Sequence, residues 1–141
     1  MKQVVEVSTD GTIRHFKVTK NTKVLHNPDG PALIRLENSR QIGRKVWYLN
    51  GKVHRLDGPA IEWDDGDVDY VVNGKRHRLD GPAVIRYGYN ERDRLNWYVN
   101  DRLCIARAEY ETAVARWTSY CDVTRNEIKK IIGDFKIVEW E

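Results

Sequence analysis

The residues best suited to chemistry in this chain are three histidines at matching places. His26, His54 and His77 each stand three residues before the Asp of an Asp-Gly-Pro-Ala run, at Asp29–Ala32, Asp57–Ala60 and Asp80–Ala83. Three imidazoles invite zinc. Their spacing opposes it: equivalent positions in neighbouring hairpins lie about two strand spacings apart, roughly 9–10 Å, whereas zinc holds its nitrogens near ~2.1 Å. No metal and no cofactor are expected. Cys-x-x-Cys, His-Glu-x-x-His and glycine-rich phosphate loops are absent, and Ser8, Ser39 and Ser119 stand in no nucleophile context. The acidic run Asp64–Asp69 lacks the twelve-residue calcium loop ending in Glu and reads as a solvated turn at Asp65-Gly66. Catalytic residues are therefore not predicted, and the chain reads as a non-enzyme.

A recognition face is the remaining chemistry. Trp47, His54, Tyr70 and His77 are predicted on one sheet face, with Lys52 and Lys75 at the adjoining turns and Trp63 in the strand before Tyr70. Glu62 stands where the other units carry Ile34 and Ile85, which marks an exposed face or a polar pocket. An aromatic shelf with cations suits a planar anion, stacked on a ring and held by Lys or Arg at a phosphate. The same row is also what an inter-repeat core looks like, each His satisfied by a carbonyl or an Asp. Both readings stand at this point.

The elements that must position these residues repeat. Successive Asp-Gly-Pro-Ala runs are 28 and 23 residues apart, and self-similarity at such a period signals stacked units that bury their faces on one another. Each unit closes on Trp47–Gly51, Tyr70–Gly74 or Trp97–Asp101. Asn-Gly is a strong signal for a two-residue hairpin turn, both central residues taking positive φ. Such a turn sets Leu49 opposite Lys52, Tyr48 opposite Val53, Trp47 opposite His54, Tyr70 opposite His77 and Trp97 opposite Cys104. Pro then fixes φ and removes a donor where the return strand ends. Insertions fall at about Glu37–Lys45 and Gly88–Leu95, and Val4–Val7 with Ile13–Val18 reads as a degenerate first hairpin.

The fold class predicted is α+β, mainly β. An antiparallel meander of repeated hairpins is expected over 1–104 (repeats near 24–52, 53–75 and 76–103), followed by a helical tail over 105–141 that packs on the sheet. Arg107–Tyr120 carries Ala108, Tyr110, Ala113, Val114 and Trp117 near helical spacing. A second helix is expected from Thr124, with a Thr124-x-x-Glu127 capping box, an Ile128, Ile131 and Ile132 stripe and a stop at Gly133. Phe135–Trp140 reads as a final strand. An open sheet edge favours a homodimer unless the tail covers it.

The 141 residues, 32% of them charged, and a mean hydropathy of −0.67 describe one domain, or one domain plus a small appendage, with a highly charged surface. No apolar run reaches the ~18 residues of a membrane span, and the start has no apolar signal region. A cytoplasmic protein without membrane contact is expected, with Cys104 and Cys121 as free thiols. The net charge of +3 sits mainly in residues 1–23, with five Lys or Arg against two Asp or Glu, so duplex nucleic acid is not an expected partner.

Trp47–Ala60 and Tyr70–Ala83 read Trp-Tyr-Leu-Asn-Gly-Lys-Val-His-Arg-Leu-Asp-Gly-Pro-Ala and Tyr-Val-Val-Asn-Gly-Lys-Arg-His-Arg-Leu-Asp-Gly-Pro-Ala. They resemble MORN-like hairpin repeats. The His-Arg-x-Asp-Gly-Pro-Ala type is similar to repeats in uncharacterised proteins of large tailed phages and giant viruses. The resemblance covers roughly Val24 to Leu103. It implies a curved sheet and a viral source, hence a phage-encoded protein acting in the host cytoplasm. The function expected is a binding module that engages and inhibits a host protein, with counter-defence as the role the source implies. The alternative is a binder that sequesters a nucleotide-type signalling molecule on the aromatic and basic face; a nucleotide-acting enzyme comes last.

Overall fold

Asn50, Gly51, Asn73, Gly74, Asn100 and Asp101 all adopt left-handed backbone, with φ between 50° and 80°. These are the primed turns that Asn-Gly favours, because their twist matches that of the flanking strands. The computed structural model describes residues 2–87 and 95–120, with side chains to residue 117. The expected second helix, the Phe135–Trp140 strand, Cys121 and most of the second insertion lie outside the described residues. The chain divides into two compact units, residues 1–75 and 76–141.

The first unit is an antiparallel meander. β1 (Lys2–Val7) pairs with β2 (Ile13–Val18) in the register Lys2↔Val18 to Val7↔Ile13. Between them Asp10 accepts from the Ser8 hydroxyl at 2.6 Å and the Thr12 amide at 2.9 Å. These two donors hold its carboxyl at a pKa of about 2. β3 (Lys23–Leu25) and β4 (Leu33–Arg35) both pair with β2, and β5 (Arg44–Val46) joins β4 to β8 (Ile61–Trp63). β9 (Val68–Asp69) completes this part of the sheet against β8, through a turn with Gly66 at φ 95°. β6 (Tyr48–Leu49) and β7 (Lys52–Val53) form the hairpin tip, with Tyr48↔Val53 and Leu49↔Lys52 as the turn arithmetic requires. β10 (Val71–Val72) precedes the Asn73-Gly74 turn, and the division between the units falls inside β11 (Lys75–Arg76).

The second unit pairs β12 (Val84–Ile85) with β13 (Leu95–Val99), and β13 with β14 (Arg102–Cys104), Trp97 facing Cys104 as expected. Helix α1 (Arg107–Tyr120) packs on β13 and β14. Its start is fixed by Glu109, which accepts from the Ile105 amide at 3.2 Å and from Arg102 at 3.3 Å. A carboxylate in the first turn also complements the helix dipole. Trp97, Val99, Cys104, Tyr110, Ala113 and Val114 form the core, flanked by Leu79, Leu95 and Trp117. Ala108, expected on the apolar stripe, is exposed; the stripe that packs is Tyr110, Ala113, Val114 and Trp117. Burial raises the pKa of the Cys104 thiol.

Candidate functional site

The histidine row is a set of hydrogen-bond acceptors for the turns. The Asn50 amide donates to His26 Nδ1 at 2.9 Å, the Asn73 amide to His54 Nδ1 at 3.0 Å and the Asn100 amide to His77 Nδ1 at 3.0 Å. Three backbone bonds accompany each. Around the first loop Asn27 N donates to Tyr48 O, Gly51 N to Leu25 O and Ala32 N to Val46 O. The second repeats this with Arg55 N to Val71 O, Gly74 N to Val53 O and Ala60 N to Asp69 O. The third has Arg78 N to Tyr98 O, Asp101 N to Arg76 O and Ala83 N to Asn96 O. Each loop is thus clipped to the strand and turn that follow it, and Ala32, Ala60 and Ala83, all at 0% exposure, fill the closed end.

The residue after each His braces the loop from inside. Arg55 donates through Nε to Asp57 Oδ1 at 2.9 Å and through Nη1 to Pro59 O at 3.0 Å. Arg78 makes the same pair with Asp80 at 3.0 Å and Pro82 at 3.1 Å. Asn27 reaches the equivalent oxygen, Pro31 O, at 3.1 Å. A Cβ on Gly58 would stand 3.0 Å from Arg55 Cζ, and one on Gly81 2.8 Å from Arg78 Cζ. The glycine leaves room for the guanidinium. His-Arg-x-Asp-Gly-Pro-Ala therefore encodes a braced loop, which gives the motif a folding role.

A cleft of about 540 Å³ in the first unit lies between the first and second of these loops. Pro28, Pro31, Trp47, Tyr48 and Leu49 supply apolar wall, and His54 and Arg55 close one side. The Arg55 guanidinium stacks on the Trp47 ring at 4.0 Å and also meets Glu62 Oε1 at 3.2 Å. Strand alternation carried past His54 would put Arg55 on the face opposite Trp47. β7 ends at Val53, so the chain turns and brings Arg55 back over the indole. Arg55 keeps the Asp57 carboxyl below its usual pKa by hydrogen bond and by charge. At the rim Asp29 is exposed, and Asp57 stays 85% exposed despite its arginine partner.

Of the expected face residues, Trp47 and His54 line this cleft and Glu62 reaches it through Arg55. Lys52 and Lys75 are exposed on the return strands and are not among the lining residues. Trp63 and Tyr70 are half-buried, Trp63 opposite Arg44. His77 belongs to the second unit, where its ring meets Trp117 with centroids 4.7 Å apart. Burial there lowers its pKa. Sequence reasoning missed the arginine braces and the loop contacts of Tyr110, whose hydroxyl donates to Arg78 O at 2.6 Å and lies 3.3 Å from Gly81 O. The recurrence of Arg two residues before Asp was the available signal for the brace; nothing local signals Tyr110.

No group of His, Cys, Asp and Glu among the described residues is placed to hold a metal ion, and no helix among them is long and apolar enough to cross a membrane. No family model matches the chain, and comparison with curated proteins and with solved structures returns no match.

Proposed function

We propose that the chain is a non-enzymatic binding module for a protein partner, and that the cleft between the first two braced loops takes an extended segment of that partner. The observation that carries this reading is the charge at the cleft. Its one arginine is committed to Asp57, Pro59 O, Glu62 and the Trp47 ring, while Asp29 and Asp57 face solvent at the rim. An apolar floor with an acidic rim fits an apolar anchor beside a Lys or Arg. It disfavours an anionic nucleotide there, since the Trp47 ring already carries a guanidinium. The resemblance to viral repeat proteins adds a host protein as the partner and inhibition of a defence as the role.

The test is selection of peptides from a random display library on the immobilised protein. Peptides with a basic residue next to a large apolar one are expected. Their binding is lost with Asp29→Lys and Leu56→Glu, at a solvent-facing carboxylate and a loop-crest side chain 79% exposed, while melting is unchanged. Peptides that bind the double variant equally well overturn the reading.

A second reading rests on the second unit. There a cleft of about 580 Å³ is lined by Val99, Asn100, Arg102, Ala113, Arg116 and Trp117. The Trp117 indole beside the Arg116 guanidinium is the chemistry of a nucleotide-type ligand, Arg102 being held by Glu109. It calls for a thermal shift with ATP that fades with salt and is lost in Arg116→Ala.

A further inference from the structure

We propose that β1 is a self-association edge, pairing antiparallel with β1 of a second copy of this chain about a two-fold axis at Val5. The proposal is independent of the cleft.

The direction of the free backbone groups follows from the register. Ser8 N donates to Thr12 O at 2.9 Å, which marks Ser8/Thr12 as a hydrogen-bonded pair. Such pairs alternate along an antiparallel ladder, so Glu6/Arg14 and Val4/Phe16 bond inward. Gln3, Val5 and Val7 then direct their N–H and C=O groups away from β2. His15, opposite Val5, confirms the phase. Its own amide donates to Ala32 O at 2.7 Å and its carbonyl accepts from His26 N at 3.0 Å, both on the side away from β1.

β1 ends the sheet order on this side, and among the described residues no strand lies beyond it. Edges are commonly blunted by short strands, prolines, bulges or charges. Here the edge strand has six residues while β3 to β10 have two or three. It runs Gln-Val-Val-Glu-Val with no proline, and Val5 and Val7 are 56% and 66% exposed.

The occupant follows from self-complementarity. With the axis at Val5, the outward residues pair as Val5↔Val5, Gln3↔Val7 and Val7↔Gln3 between copies, each pair exchanging two backbone hydrogen bonds. On the other face Val4 meets Glu6 of the second copy, and Lys2 lies diagonal to that glutamate, an attractive arrangement. An axis at Glu6 sets two glutamates opposite each other and is repelled.

The experiment is sedimentation of the full chain over a range of concentration, with cross-linking of single-cysteine additions. Wild type is expected at twice its 16.5 kDa chain mass. Val5→Pro, which removes only an outward amide, is expected at 16.5 kDa with circular dichroism unchanged. Val5→Lys serves where Pro perturbs the hairpin. Val5→Cys should be joined into a covalent dimer by a short bis-maleimide, because Cα atoms about 5.5 Å apart put both thiols within its span. Val7→Cys, which faces Gln3, should not. A wild-type chain that stays monomeric at high concentration, a dimer that survives both Val5→Pro and Val5→Lys, or Val7→Cys cross-linking as fast as Val5→Cys each overturns the proposal.

Discussion

The amide of Asn73 donates to Nδ1 of His54 at 3.0 Å, 19 residues back along the chain. This bond ties a loop to the turn of the following hairpin, and water can reach it. His54→Ala is therefore expected to cost about 1–2 kcal/mol, one modest hydrogen bond plus lost packing. His54→Gln, which offers an amide oxygen, should recover part of it. Urea unfolding of the three proteins measures the difference, and a loss confined to peptide binding would contradict the structural role.

Arg55 and Gly58 are coupled. Arg55→Ala removes the Asp57 and Pro59 bonds and the stack on Trp47, and should cost about 1–2 kcal/mol. Arg55→Lys should recover little, since a lysine has no planar fork. Gly58→Ala crowds the guanidinium at 3.0 Å. Its cost should shrink in the Arg55→Ala background, giving a coupling energy of about 0.5 kcal/mol or more in a double-mutant cycle. Additive effects would show that the brace does not set the glycine. Asp57→Ala should lose less than Arg55→Ala, its carboxylate being mostly in solvent.

Tyr110→Phe keeps the ring in the core and deletes only the hydroxyl that reaches Arg78 O and Gly81 O. About 1–2 kcal/mol is expected, against roughly 3–5 kcal/mol for Tyr110→Ala. Thermal melting followed at the near-ultraviolet band reports both.

His77 sets a pH dependence of known sign. Its folded pKa lies below the unfolded value because burial opposes the charge, and protonated Nδ1 cannot accept from Asn100. The unfolded chain takes up the proton first, so stability held above about pH 6.5 declines as pH falls through the unfolded and then the folded pKa. The melting advantage of wild type over His77→Phe should narrow from pH 7.5 to 5.5. An advantage that widens on acidification would reverse the assignment.

The hairpin grammar was legible because its causes are local. Asn-Gly demands a left-handed turn, and the turn fixes which residues oppose each other, so Tyr48↔Val53 and Trp97↔Cys104 follow from counting. The helix span was legible from its apolar period. The cleft was not, because it depends on where the chain goes after β7 stops. Period-two alternation continued past Val53 sends Arg55 to the wrong face, and only the turn into Asp57–Pro59 brings it over Trp47. The role of the histidines was open for a similar reason: their partners are amides, which no side-chain pattern reports.

The clip between a loop and the following turn has a direction. The hairpins that turn at Asn50-Gly51 and Asn73-Gly74 each donate at the turn and accept at the histidine four residues after its Asn, like a monomer with one head and one tail. A bond of this kind carries no instruction to stop. Chain growth by duplication would extend it indefinitely, and the differing periods show that hairpins of unequal length fit the same clip. The last described hairpin departs from the pattern: Cys104 follows Asn100 by four residues, where His54 and His77 follow Asn50 and Asn73 by four, so it offers no imidazole to a further turn. In polymer terms that buried thiol is a terminated chain end.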